Sequence, residues 1–138
     1  MTDAVTRVVR RTSFVAGALA VVLSPIPLAD ELALLPVYGV MASRIGKVHG
    51  LRARDLPWRP IATTTLAALA ARAALNVTVS YIPGVAAVAN AVSALTLTQL
   101  LGRYVDDACA DPARAQALSM KEIGARMRDA ITGRRATV

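Results

Sequence analysis

The side chains that most often carry catalysis, metal binding or cross-linking are scarce in this 138-residue chain. Cys109 is its single cysteine, which excludes a disulfide framework or a cysteine metal site within one chain and suggests a small buried thiol. His49 is its single histidine, in a polar segment with no carboxylate or nucleophile at a recognisable spacing, and we expect a solvated loop residue. The adjacent Asp106 and Asp107 would point about 100° apart on a helix, which suits solvent exposure better than shared-proton chemistry. The sequence therefore predicts a protein that is not an enzyme and uses no cofactor or metal.

Two further scarcities narrow the class of protein. Aromatic residues make up 4% of the chain, and no basic face with base-reading or stacking groups is visible, which argues against nucleic acid as a partner. Charged residues make up 18%, against about 25% in typical soluble domains. The apolar content comes instead from Ala, Val and Leu, small side chains that let helices approach closely.

What the chain does contain is an internal repeat at an interval of 56 residues. Leu23-Ser24-Pro25-Ile26-Pro27 and Val79-Ser80-Tyr81-Ile82-Pro83 each lie between two apolar stretches, and the exits Ile45-Gly46-Lys47 and Leu101-Gly102-Arg103 also match. Because proline interrupts a helix, this pattern predicts two helical hairpins. The predicted turn residues are Pro25, Pro27, Pro83 and Gly84.

The predicted fold class is therefore all-α, with two tandem apolar hairpins in a single helical domain over residues 1–138. A short basic amphipathic helix follows them in the tail, with Ile123, Met127 and Ile131 on its apolar face. The predicted bounds are 4–47 for hairpin 1, 48–60 for a basic connector, 61–104 for hairpin 2 and 111–133 for the amphipathic tail.

The hairpins are too apolar for an ordinary soluble bundle, and their basic flanks all lie on one side of the predicted turns. A lipid bilayer is therefore the leading partner, and the positive-inside rule places both termini in the cytoplasm at a bacterial inner membrane. Whether the hairpins span the bilayer or only dip into it stays open. The residues predicted to contact the membrane surface or a partner are Arg44, Lys47, Arg52, Arg54, Trp58, Arg59, Arg103, Arg126 and Arg128.

One polar group within the apolar segments is the candidate site. If hairpin 2 folds about Tyr81, Arg72 lies level with Asn90, and it could instead meet Asp30 or Glu31 of hairpin 1. An arginine among apolar residues is costly and normally finds a partner. The group predicted to form an intramembrane polar lock is Arg72, Asn76, Asn90, Asp30 and Glu31. It could fix how the hairpins or several subunits dock, or serve as a polar passage or a sensor of a partner's state.

Two signatures also resemble a known family. Pro25 to Gly50 contains a P-I-P-x-A-D turn leading a helix that ends in R-I-x-x-x-x-G, and Ile82-Pro83-Gly84 is followed by Thr98-Gln99-Leu100-Leu101-Gly102. The stretch 13–108 resembles the small hydrophobic domain of unassigned function found with Era-like bacterial GTPases and in YcjF-type inner-membrane proteins. This chain departs from that pattern at Leu35-Pro36-Val37 and in the alanines after Gly84. The resemblance implies a membrane-associated module that serves a GTPase encoded elsewhere, with no catalytic residue of its own. We therefore expect it to anchor or regulate a cytoplasmic partner, either a GTPase supplied in trans or another cytoplasmic protein.

Two alternatives remain from the residues alone. Several chains could associate into a homo-oligomeric pore, a transporter-like assembly or a membrane-shaping lattice. Alternatively, a soluble helical oligomer could bury the apolar hairpins or hold a lipid.

Overall fold

The computed structural model describes residues 1–23, 29–79 and 85–117, and for residues 30, 75–76, 78–79, 85–87 and 117 it describes the backbone alone. These ranges are helical: α1 is Asp3–Leu23, α2 is Ala29–Val48, α3 is Trp58–Val79, α4 is Val85–Ala110 and α5 is Pro112–Ala117. A single 3₁₀ turn, Ala53–Asp55, lies between α2 and α3. The all-α class with four main helices and a short one is confirmed. The predicted turn residues Pro25, Pro27, Pro83 and Gly84 lie outside the described residues, and so does the tail helix beyond Ala117.

The four long helices pack around one apolar core. Its fully buried members include Leu34, Met41 and Ile45 of α2 and Leu101 of α4. With Tyr38 on α2, and with Val105 and Cys109 on α4, the buried side chains recur at three- and four-residue steps, which places them on one face of each helix.

The packing departs from two independent hairpins, because α1 packs more extensively on α4 than on its own neighbour α2. Glycine permits this approach: a Cβ atom at Gly102 would come within 2.5 Å of the Val9 side chain, and one at Gly17 within 3.2 Å of Leu95. The two pairs also show that α1 and α4 run antiparallel. The structural repeat of the hairpins stays a prediction.

Two helices extend beyond the approximate bounds predicted for them. Helix α3 begins at Trp58 rather than at residue 61, so Trp58 and Arg59 belong to its first turn and not to the connector. Helix α4 continues to Ala110 rather than ending near residue 104. The physical reason is packing, since Val105 and Cys109 are four residues apart and both are buried in the core. The predicted helix start at Asp111 is confirmed, because its Oδ1 accepts a hydrogen bond from the backbone N–H of Arg114 at 3.0 Å.

Polarity is divided along the long axis of the bundle. We call the end at which α1 and α3 end and α2 and α4 begin the apolar half; it comprises residues 12–23, 29–43, 60–79 and 85–102. The opposite end is the basic end. Of the eleven large apolar side chains that the described residues leave at least half exposed, ten lie in the apolar half and the other is Met1. The ten are Phe14, Val15, Val21, Val22, Leu32, Val40, Leu66, Val77, Val88 and Val92.

Exposed charge has the opposite distribution. Within the described residues, ten exposed cations and four exposed carboxylates all lie at the basic end. The cations are Arg7, Arg10, Arg11, Arg44, Lys47, Arg52, Arg54, Arg59, Arg103 and Arg114, and the carboxylates are Asp3, Asp55, Asp107 and Asp111. Glu31 and Arg72, the charged side chains that are described in the apolar half, are both buried.

Candidate functional site

A line of three hydrogen-bonding side chains runs along the inner face of α2 and the residue that directly follows it. Glu31, Tyr38 and His49 are separated by seven and eleven residues, each within 20° of a whole number of helical turns at 100° per residue. Each of the three contacts a polar side chain of α3 or α4. We call these three contacts the upper, middle and lower stations.

The upper station lies in the apolar half and is centred on Arg72 of α3, whose side chain is 2% exposed. Its Nη1 donates to Oε1 of Glu31 at 3.2 Å. Its Nη2 donates to the carbonyl and to the side-chain oxygen of Asn90, at 3.3 and 3.2 Å, and its Nε donates to Ser93 Oγ at 3.1 Å. One guanidinium therefore joins α2, α3 and α4.

Planar geometry explains why arginine fits this position. Five N–H donors in a rigid fork can serve acceptors on two helices at once, which a lysine ammonium cannot do with the same directionality. Ser93 Oγ also donates to the carbonyl of Asn90 at 2.9 Å, so the acceptor side is itself fixed. Of the predicted lock, the structure brings together Arg72, Glu31 and Asn90. The side chains of Asp30 and Asn76 lie outside the described part.

The middle station is a layer of hydroxyl groups. Tyr38 Oη and Thr98 Oγ1 lie 3.3 Å apart, and Thr98 Oγ1 donates to the carbonyl of Ala94 at 2.7 Å. Thr64 lies on α3 at the level of Thr98 by the register that Arg72 and Asn90 set. It is fully buried, and its Oγ1 has no hydrogen-bond partner among the described residues.

The lower station, at the basic end, corrects the expectation for His49. Its Nε2 lies 2.7 Å from Oδ1 of Asp106, and the two side chains are 22% and 10% exposed. Asp106 is thus buried rather than solvated, while Asp107 is exposed as expected. The amino group of Met1 lies 3.5 Å from the other carboxylate oxygen of Asp106. A separation of 57 residues between His49 and Asp106 hides this contact from any local pattern.

Cys109 lies one turn beyond Asp106 and is buried, as predicted. Burial raises the pKa of its thiol to about 11, and the nearby Asp106 carboxylate adds to the rise. A high pKa suppresses the thiolate, so this cysteine is not activated as a nucleophile.

The stations do not join into a polar passage through the described residues. At 1.5 Å per residue, Tyr38 lies about 10 Å from Glu31 and about 16 Å from His49 along α2, whereas proton transfer needs heavy atoms about 3 Å apart. Leu34, Met41 and Ile45 fill the intervals and are fully buried. Separate stations along one helix are suited to fixing the register of α2 against α3 and α4.

The predicted surface residues lie where their charge can reach solvent. Arg44, Lys47, Arg52, Arg54, Arg59 and Arg103 are exposed, and Arg126 and Arg128 lie outside the described residues. Trp58 is 38% exposed, and its Nε1 donates to the carbonyl of Ala53, which secures the 3₁₀ turn to the start of α3.

The alanines with small-xxx-small spacing on α3 face outward. Ala67, Ala70, Ala71 and Ala74 are exposed, so the tight contacts of this bundle use Gly17 and Gly102 instead.

No protein-family model matches the chain, and no curated protein or solved structure does so either. Within the described parts of the helices, none is both long and apolar enough to cross a membrane. The same residues hold no cluster of three His, Cys, Asp or Glu side chains arranged to bind a metal ion.

Proposed function

We propose that this protein is a non-enzymatic helical module whose apolar half inserts into the hydrocarbon of a membrane, leaving the basic end at the surface. One observation carries the proposal: exposed apolar side chains occur in the apolar half of all four long helices, while the exposed charges among the side chains that the structure describes all lie at the other end. A protein partner usually covers one face of a bundle. Lipid chains cover every side, which matches this distribution.

The energy of transfer supports the same occupant. Ten large side chains that are half exposed or more would each gain about 1 kcal/mol by leaving water, or about 10 kcal/mol in total. This is roughly the contribution of one myristoyl chain at about 0.8 kcal/mol for each buried CH₂. In α1, residues 12–23 extend about 18 Å, which exceeds the thickness of one hydrocarbon leaflet.

The buried ion pair is consistent with that environment. Arg72 and Glu31 would be costly at a lipid-facing position, and both are instead directed into the bundle, where they satisfy one another. In this proposal the upper station is the lock that holds α2, α3 and α4 together at a depth where water cannot compete for their hydrogen bonds.

The role of the membrane module follows from the sequence resemblance. It anchors or regulates a cytoplasmic partner, a GTPase supplied in trans, through the basic end. A second candidate function, assembly of several copies within the membrane, is favoured by the outward-facing alanines of α3. Copies bearing Ala71→Cys should then cross-link efficiently, whereas copies bearing Val92→Cys on α4 should not. Equal cross-linking of the two variants would remove the case for a specific α3 contact.

Association with lipid vesicles tests the main proposal. The wild-type protein should float with phosphatidylcholine vesicles. Val22→Asn and Val88→Asn, deep in the apolar half, should each weaken this association. Val48→Asn changes an equally apolar, 41% exposed side chain at the basic end and is the matched control. A monodisperse detergent-free particle that ignores vesicles would overturn the proposal.

A further inference from the structure

Each of the four long helices carries an exposed arginine where the apolar half meets the basic end. These are Arg11 of α1, Arg44 of α2, Arg59 of α3 and Arg103 of α4. Each of the four is exposed, and each belongs to a different long helix. We call them the arginine ring.

The contact between Arg72 and Asn90 fixes the relative height of two ring members. Arg59 is thirteen residues from Arg72 on α3, and Arg103 is thirteen residues from Asn90 on α4. Both therefore lie about 20 Å from the upper station along antiparallel helices.

The other two members lie at the same height. Val9 contacts α4 at Gly102. Arg11 lies two residues beyond Val9, toward the apolar half, and Arg103 lies one residue beyond Gly102, toward the basic end. On α2, Arg44 is six residues beyond Tyr38, while Arg103 is five residues beyond Thr98, the partner of Tyr38. The four backbone positions thus fall within about 6 Å of one another along the axis, close to the rise of one helical turn.

We propose that the arginine ring binds the phosphate groups of anionic phospholipids and sets the depth to which the bundle inserts. This inference rests on the proposed function and deepens it. A guanidinium group presents paired donors that match phosphate oxygens, and a ring at one level meets the single plane in which lipid phosphates lie. On the side of this ring toward the apolar half, the exposed side chains that the structure describes include ten large apolar groups and no charged group.

The arginine ring also supplies the electrostatic attraction that the apolar surface lacks. An apolar contribution comparable to one acyl chain gives marginal, reversible binding, and stable anchoring takes a second signal. A basic residue near an anionic surface strengthens binding by about fivefold. Trp58, the single tryptophan of the chain, is adjacent to Arg59 on α3 and therefore lies at the level of the ring. Its fluorescence can report the depth of the ring in the membrane.

Vesicle binding of the full chain tests the ring. Affinity should be higher for phosphatidylcholine vesicles that contain phosphatidylglycerol than for phosphatidylcholine alone, and the difference should shrink as salt is added. Arg44→Gln/Arg103→Gln should lose about thirtyfold in affinity for the anionic vesicles and little for the neutral ones. Arg52→Gln/Arg54→Gln removes the same charge from the connector, outside the ring, and should lose much less.

The outcomes separate this inference from the proposed function. Equal binding to neutral and anionic vesicles, or equal losses in the two double variants, would overturn the ring while leaving insertion intact. Failure to bind either vesicle would overturn both proposals. Release of bound protein by inorganic phosphate at matched ionic strength would assign the ring to free phosphate, and release by a short duplex RNA would assign it to nucleic acid. Either release would overturn the lipid assignment.

Discussion

Substitution of Arg72 should lower the stability of the bundle more than substitution of any exposed arginine. In Arg72→Leu, the Glu31 carboxylate loses its ion pair with Arg72 in a site where its side chain is 10% exposed, and the Asn90 and Ser93 oxygens lose a donor. Breaking a buried ion pair from one side costs about 3–5 kcal/mol, because an uncompensated charge stays inside. We therefore expect the free energy of unfolding to fall by about that amount.

The double variant gives the sharper test. Arg72→Leu/Glu31→Leu removes both charges and replaces them with apolar volume, which is commonly neutral or stabilising. Its stability should therefore exceed that of either single variant. The assay is helix content against a denaturing detergent, starting from protein in a mild one, with Arg103→Leu as an exposed control expected to change stability by less than about 0.5 kcal/mol. A single variant within about 1 kcal/mol of wild type, or a double variant as unstable as Arg72→Leu, would refute the reasoning.

Three further predictions use the same unfolding assay or simple thiol chemistry. Thr64→Val should raise the free energy of unfolding by about 1 kcal/mol, because it removes a buried hydroxyl that has no hydrogen-bond partner among the described residues. Thr98→Val should lower it, because Tyr38 loses an acceptor, and equal effects of the two variants would contradict this hydrogen-bonding pattern. Gly102→Ala should be destabilising because its Cβ meets α1 at 2.5 Å, while Gly39→Ala, with nothing within 4 Å, should gain about 0.5–1 kcal/mol. With its pKa at about 11, the Cys109 thiol should react with maleimide at pH 8 about a hundredfold more slowly in the folded protein than after unfolding, and rapid labelling of the native protein would contradict its burial. The free energy of unfolding should also decrease between pH 9 and 11, because the thiol of the unfolded state loses its proton first.

The helical class and the approximate helix bounds could be predicted from local patterns. Proline and glycine punctuate apolar runs, and the Asp111-Pro112 pair starts a helix, because these effects act over a few residues. The extension of α4 to Ala110 could not be read in this way, since it depends on Val105 and Cys109 meeting a core built by other helices.

The candidate site was predictable in part. A lone arginine in an apolar helix requires a partner, and symmetric folding of hairpin 2 about Tyr81 predicted Asn90 as that partner. The lower station was missed because His49 and Asp106 come from opposite halves of the chain, and neither lies in a recognisable motif. The arginine ring was not predicted for a similar reason. The common height of its four members can be recognised only when the register of α1 and α3 against the antiparallel α4 is known.

Depth-dependent quenching of tryptophan fluorescence tests the central claim most directly. Trp58 reports the ring, and Val22→Trp in a Trp58→Phe background reports a 71% exposed position about 16 Å farther into the apolar half than Arg11. In anionic vesicles, Trp58 should be quenched most by lipids labelled near the headgroup. The Val22→Trp reporter should be quenched most by lipids brominated deep in the acyl chains. Equal quenching of both reporters by aqueous iodide, with no effect of either labelled lipid, would contradict insertion of the apolar half.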